Sequence, residues 1–186
     1  MTFIDFSLRN RDHAFLSPSS AKVWLGQDRD YLKKKLESEV ARFIGTKKHE
    51  MAADDITLRM KRPDNGNSFN MYVNDAIGYR MDTEVKLEYS KWCHGTADAL
   101  VFRDGLLRIH DLKTGSTKTS MAQLIVYAAL YCLKHDIDPS DIQIELRIYQ
   151  SDDILISNPT VEDIAPVMDK IITFDRIIND ISKEEE

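Results

Sequence analysis

Two aspartates and a lysine stand at spacings suited to metal-assisted chemistry on a phosphate ester. Asp98 closes the run Gly95-Thr96-Ala97-Asp98, and Asp111-Leu112-Lys113 follows beyond Arg103-Asp104-Gly105. Asp-Gly between two apolar runs is a hairpin signal, so 95–102 and 106–112 are predicted to pair as strands. Residues two apart on a strand share a face, which puts Asp111 with Lys113, and pairing across the turn brings Asp98 alongside. Carboxylates gathered in this way repel one another unless a cation neutralises them. Mg²⁺ takes hard oxygen ligands, typically one or two carboxylates, and fills its remaining sites with water and substrate phosphate oxygens. A lysine beside it can orient or activate the attacking water, or stabilise charge developing on phosphorus.

Each residue alone has a plainer reading. Asp-x-Lys is commonly a strand-end salt bridge, and Asp98 could serve as a turn acid. His49 fits a surface or core histidine. Ser120-Met121-Ala122-Gln123 fits a capping box, which would occupy Gln123 at a helix start. Tyr127 could simply pack on that helix. Glu84 or Glu88, on the strand before the hairpin, could assist a metal site, but neither belongs to a firm motif.

The elements that must position these residues follow from periodicity. Ser17 and Pro18 mark a helix start in 16–26. A second helix is predicted over 29–44, with Leu32, Leu36, Val40, Phe43 and Ile44 on one face and Gly45 as its stop. A third runs from Thr46 towards Met60 and carries His49; 63–68, rich in turn formers, is a loop. Val85, Leu87 and Tyr89 alternate with charged residues over 83–89, a half-buried strand. After the hairpin, an apolar helix opens near Lys118 to Ser120 and ends near Asp136. A strand follows over 143–149, and a helix from Thr160 has Pro166 expected to kink it or delay its start. This order predicts a mixed α/β (α+β) fold in one domain: a helical part at about 16–62, a core at about 83–150 and a C-terminal helix at about 160–183.

With 186 residues, 42% hydrophobic and 30% charged, the chain has an ordinary globular composition. It has no apolar run of membrane-spanning length, and MTFIDFSLRNRDHAF lacks a secretory core, so an intracellular, cytoplasmic protein is expected. Cys93 and Cys132, the only cysteines, are expected in the core and cannot form a four-cysteine cluster. The net charge of −6 argues against a polyanionic partner until it is divided. Residues 1–118 hold 20 Lys and Arg against 17 Asp and Glu, whereas 119–186 hold 5 against 14. Basic runs at Lys33-Lys34-Lys35, Lys47-Lys48 and 59–62 could form a local phosphate-binding surface or simply be solvated helix faces.

The joint pattern resembles the RecB-like and lambda-exonuclease-like branch of the PD-(D/E)XK nucleases, in particular a phage-associated RecB-like group. The matching segments are Leu-Ser-Pro-Ser-Ser at 16–20, Gly-Thr-Lys-Lys-His-Glu at 45–50, Gly-Thr-Ala-Asp at 95–98, Asp-Leu-Lys-Thr-Gly at 111–115 and Gln-Leu-Ile-Val-Tyr-Ala at 123–128. The resemblance implies a restriction-endonuclease-like core, α-β-β-β-α-β, and an Mg²⁺-dependent deoxyribonuclease (Mn²⁺ also serving) that leaves 5′-phosphates. An exonuclease acting at DNA ends is expected before a structure-specific endonuclease or a non-catalytic binding module. The resemblance assigns metal binding to Asp98, Asp111, the carbonyl of Leu112 and His49. Lys113 would position water or stabilise charge, and Gln123 and Tyr127 would contact the site or the DNA backbone. Ser17, Ser19, Ser20, Lys47, Lys48 and Thr114 are its candidate DNA contacts. Several members of that branch carry a four-cysteine iron–sulfur cluster, which two cysteines cannot build, so none is expected here; the resemblance also implies DNA as partner, and room for a homo-oligomer or for a single-strand annealing or replication protein.

Overall fold

The computed structural model describes residues 14–117 and 119–184, so the N-terminal stretch read for a secretory core, and Lys118, lie largely outside the described residues. The chain divides into two units, Met1–Lys47 and Lys48–Glu186. In the first, Pro18–Ser20 form a 3₁₀ turn that leads into the short helix α1 (Ala21–Trp24). Pro18 takes the first helical position as expected, but Ser17 caps through its backbone rather than its side chain. Its carbonyl accepts from Ser20 N at 3.0 Å and from Trp24 Nε1 at 2.9 Å, while its hydroxyl sits 2.7 Å from that of Ser19.

Helix α2 (Arg29–Thr57) corrects two expected helices into one. Glycine inside a helix costs only about 1 kcal/mol relative to alanine, and Gly45 stands in mid-helix, where flanking turns outweigh that penalty. The stop comes later and without glycine: Arg59 adopts φ 55° while Met60 N donates to Asp55 O at 2.8 Å. The residues of α2 from Lys48 onward count with the second unit.

The second unit is a five-stranded mixed sheet with helices on its two faces, an α/β class with α+β character. The strands are β1 (Asp82–Ser90), β2 (Cys93–Arg103), β3 (Leu106–Leu112), β4 (Gln143–Gln150) and β5 (Asp153–Ser157), ordered β1-β2-β3-β4-β5. The first three form an antiparallel meander, β4 joins β3 in parallel, and β5 returns antiparallel. Asp104 and Gly105 make the β2–β3 turn with φ 53° and 74°, the doubly left-handed geometry of a tight hairpin. A parallel neighbour needs a crossover, and α4 (Ala122–His135) supplies it. Leu124, Ala128 and Cys132 of α4 pack with Leu87, Leu107, Ile109, Leu146 and Ile148 in one core, joined by Ile164 and Ile171 of α5 (Val161–Glu184). Cys132 is buried as expected, whereas Cys93 is only half-buried, and Pro166 lies inside α5 rather than delaying its start.

Two elements were not expected. Helix α3 (Ser68–Tyr79), N-capped by Asn67, covers the other face of the sheet with Tyr72, Val73 and Ala76. Strand β5 follows a turn at Ser151 and Asp152, whose φ values of 52° and 62° are reached without glycine.

Under α3 lies a partly buried polar network. Tyr149 Oη donates to Asp75 Oδ2 at 2.6 Å, and Arg147 also reaches Asp75, Glu145 and the Tyr79 hydroxyl. The Tyr149 proton being committed to Asp75, His110 donates from Nδ1 to the Tyr149 oxygen at 3.2 Å, leaving Nε2 unprotonated and without a partner. Complete burial, with Arg147 and Arg108 nearby, pushes the His110 pKa down to about 3. The folded protein therefore refuses a proton that the unfolded chain accepts below pH ~6.5, so His110 costs stability as pH falls from there towards 3. His110→Asn keeps the donor and removes the titration. The variant should be less stable than wild type by about 1–3 kcal/mol at pH 7, with the gap narrowing on acidification. Urea unfolding at pH 7, 5.5 and 4 checks this, and a constant gap would contradict it.

Candidate active site

The acids stand where the sheet divides. The last β2–β3 pair is Ala99↔His110, while β3 stays with β4 to Leu112↔Tyr149 and Lys113 N extends that pairing by donating to Tyr149 O at 2.9 Å. One step beyond Ala99↔His110 lie Asp98 and Asp111. Here a side chain replaces the ladder: Leu112 N donates to Asp98 Oδ2 at 2.9 Å. Strand β2 also slips at this level, because Ala97 and Leu100 face the α4 core while Ala99 and Val101 face the α3 core. Strict alternation would keep 97, 99 and 101 together, and such local irregularities re-aim side chains.

Around this fork the structure gathers residues from four elements. His49, from α2, places Nδ1 3.2 Å from Asp98 Oδ2. The hydrogen bond to Asp98 raises the His49 pKa against the lowering effect of burial. Asp111 is 2% exposed. Burial and the Asp98 charge lift its carboxyl above the ordinary range, with Lys113 and His49 opposing. Lys113 Nζ lies 3.0 Å from Asp111 Oδ1 and 2.9 Å from Oδ2. Only the Oδ1 contact has hydrogen-bond geometry, so Oδ2 is buried without a hydrogen bond. The same ammonium donates to Gln123 Oε1 at 2.8 Å, and Gln123 Nε2 donates to Tyr127 Oη at 3.0 Å.

The capping box expected at 120–123 does not form. The N-cap of α4 is Met121, with no side-chain cap, and Gln123 turns to Lys113 and Tyr127 instead. Gly95 explains how Tyr127 gets close: a Cβ there would meet Tyr127 Cε1 at 2.8 Å, inside van der Waals contact. Gly95→Ala should displace the ring from Gln123, costing about 1–3 kcal/mol of stability through overpacking. Loss of that positioning should lower turnover on the order of 10–100-fold. Thermal unfolding and single-turnover rates check the two effects together, and an unchanged Tm would contradict the close packing.

Of the expected DNA contacts, Lys48 and Thr114 line a cleft of about 240 Å³ with Phe69, Leu112, Lys113, Ser116 and Asp152, beside the acids. Gln150 Nε2 anchors the loop after β3 by donating to Thr117 O at 2.9 Å. Ser17, Ser19, Ser20 and Lys47 belong to the first unit. Larger hollows lie elsewhere, one of about 340 Å³ at Arg59 and Arg80 and an apolar one of about 530 Å³ between Trp92 and Phe174, and neither contains the acids.

Two site neighbours carried no firm sequence signal. Thr83 pairs with Ala99 and Val85 with Ala97, which sets Glu84 level with Asp98, whereas Glu88 pairs with His94 further along. Glu84 takes φ 51°, a left-handed conformation costing a non-glycine residue roughly 1–2 kcal/mol. Burial holds the phenol of Tyr72, on α3, well above the ordinary range, and the charges of Asp98, Asp111 and Glu84 add to it.

The donor set fits a hard divalent cation: two carboxylates, one with a buried oxygen that no hydrogen bond satisfies, answer the one or two that Mg²⁺ requires. Among the described residues, no three His, Cys, Asp or Glu side chains are drawn close enough to ligate one ion as they stand. Lys113 and His49 hold the two acids instead. Also among the described residues, no helix is long and apolar enough to cross a membrane. No family model, curated protein or solved structure matches the chain.

Proposed function

We propose that this protein is an Mg²⁺-dependent deoxyribonuclease of the PD-(D/E)XK type, hydrolysing phosphodiester bonds at DNA ends. One observation carries the reading: two linked sets of contacts meet at a fork in the sheet, His49 paired with Asp98, which accepts from Leu112 N, and Asp111, Lys113, Gln123 and Tyr127 joined in turn by hydrogen bonds. A strand-end salt bridge explains Asp111 with Lys113 but not Gln123, Tyr127 or the ladder bond surrendered to Asp98. The element order α3-β1-β2-β3-α4-β4 also agrees with the core such nucleases use.

In this reading Asp98 and Asp111, with His49 and the Leu112 carbonyl, would hold the cation. When bound it polarises a phosphoryl oxygen and acidifies a water molecule. His49 orients Asp98, and Leu112 N fixes the same carboxylate oxygen. Lys113 is held by Asp111 and Gln123 so that its ammonium can donate to a non-bridging phosphate oxygen as charge develops in the in-line displacement. Gln123 and Tyr127, four apart on α4, share one face and keep that lysine from wandering. Lys48 and Thr114, on the adjoining cleft, would meet the backbone phosphates.

Incubating linear and covalently closed circular duplex with the protein and Mg²⁺ tests the activity and its mode. Degradation of the linear DNA alone is expected. Cutting of the circle would make the protein an endonuclease on the same site, and inertness towards every DNA substrate with Mg²⁺ or Mn²⁺ would remove the enzymatic reading.

A further inference from the structure

Helix α5 carries more apolar surface than its own fold covers. In its first half Ile164 and Ile171 are buried in the core that α4 forms with the sheet. In its second half Phe174, Ile177, Ile178 and Ile181 recur at steps of three, one and three residues, which puts all four on one face. All four are exposed, Phe174 at 52% and Ile181 at 51%. The hollow of about 530 Å³ shares Phe174 and Ile178 with this stripe and continues it to Trp92 and Val126. Apolar surface this continuous is seldom left to water. Nor is the helix free to fold the stripe away. Asp175 accepts from the Ser90 hydroxyl, and Trp92 Nε1 donates to Asn179 Oδ1 at 2.9 Å, tying another side of α5 to the β1–β2 turn.

The charges at the two ends of the stripe say what covers it. Lys170, one turn before Phe174, has its ammonium 5.0 Å from the centre of that ring. Glu184, just beyond Ile181, is exposed at the C-terminal end of the helix, where a negative charge opposes the helix dipole. Neither forms an ion pair among the described residues. Consider a second α5 laid antiparallel about a two-fold axis beside Ile177 and Ile178. Phe174 then meets the partner's Ile181, Lys170 comes level with the partner's Glu184, and the symmetry repeats each contact. Parallel packing would set lysine by lysine and glutamate by glutamate instead. The face complements itself in one direction only.

We infer that the chain forms a two-fold homodimer through the antiparallel C-terminal halves of α5, with the hollow at Trp92 receiving apolar side chains of the partner. The inference depends on neither the acids nor DNA.

Sedimentation velocity of the full chain across a dilution series, without DNA or divalent ions, tests it. Wild type should be a dimer that dissociates on dilution. Ile181→Glu, at an exposed position that the monomer fold does not need, should raise the dissociation constant about 10²-fold or more. Lys170→Glu should raise it about three- to tenfold, and adding Glu184→Lys to that variant should restore the wild-type value. Circular dichroism checks that each variant is folded, and Ile177→Glu serves if Ile181→Glu is not. A wild type that stays monomeric at every concentration overturns the inference and leaves the stripe to a different protein. A dimer indifferent to both isoleucine substitutions overturns it too, by placing the contact elsewhere. Failure of the double charge reversal to restore association overturns the antiparallel arrangement and the inference with it.

Discussion

Asp111→Asn is expected to abolish cleavage and yet to raise the melting temperature of the protein in the absence of divalent ions. The loss follows from removing a carboxylate that holds the cation. Several kcal/mol of transition-state stabilisation are at stake, about 10³-fold or more in rate. The gain follows from burial. Desolvation and the Asp98 charge hold the Asp111 carboxyl above its unfolded range, and Lys113 offsets only part of this. Between the unfolded and folded values the native state binds more protons, so stability falls as pH rises through that window and stays lower above it. Asparagine has the same shape and no charge to desolvate, while Lys113 keeps its bond to Gln123. Added Mg²⁺ should raise the Tm of wild type and leave the variant unmoved. Scanning calorimetry with and without Mg²⁺ checks both signs. A variant that melts lower and still cleaves DNA would make Asp111 a structural partner of Lys113.

Lys113→Met should separate binding from chemistry. The ammonium touches both the buried acid and Gln123, so its removal takes away the donor proposed for the phosphate. A preorganised donor of this kind is worth roughly 10²–10³ in kcat. Divalent-ion affinity should not fall, because a positive charge leaves the neighbourhood of the ion. Lys113→Arg should not restore the rate, since a planar guanidinium cannot reproduce a compact ammonium wedged between a carboxylate and an amide. Mn²⁺ affinity measured beside single-turnover rates distinguishes the cases. Loss of ion binding in Lys113→Met would mean that the lysine holds the acids in place rather than acting on the substrate.

Local pattern made part of this legible. Strand β3 coincides with the predicted 106–112, and the hairpin turn lies at Asp104-Gly105, because alternation and turn chemistry act over a few residues. The remaining elements needed tertiary context. Helix α3 contains Asn70, Asn74 and Gly78, weak helix formers whose cost is met by packing Tyr72, Val73 and Ala76 on the sheet. The Ser151-Asp152 turn before β5 lacks the glycine or asparagine that would signal it. Gly45 misled for the opposite reason, since one unfavourable residue cannot outweigh the neighbouring turns.

The site divides in the same way. Asp98, Asp111 and Lys113 could be grouped from strand geometry, because one hairpin carries all three. His49, Gln123 and Tyr127 joined them in the sequence only through a family resemblance, and the hydrogen bonds that link them depend on how α2 and α4 meet the sheet. Glu84 could not be told from Glu88 until the β1–β2 register set it level with Asp98. Tyr72 sits in a stretch with no motif at all, and only the packing of α3 buries it in one cluster with Ala99 and Leu112, the neighbours of the two aspartates.

The most direct test of the central claim is cleavage of an end-labelled linear duplex during a Mg²⁺ titration, with EDTA added midway, for wild type beside Asp111→Asn. Wild type should release nucleotides in proportion to ion occupancy and stop on chelation, and the variant should release none at any concentration. Continued cleavage after EDTA, or equal cleavage by both proteins, would contradict a cation held by Asp98 and Asp111 as the basis of the reaction.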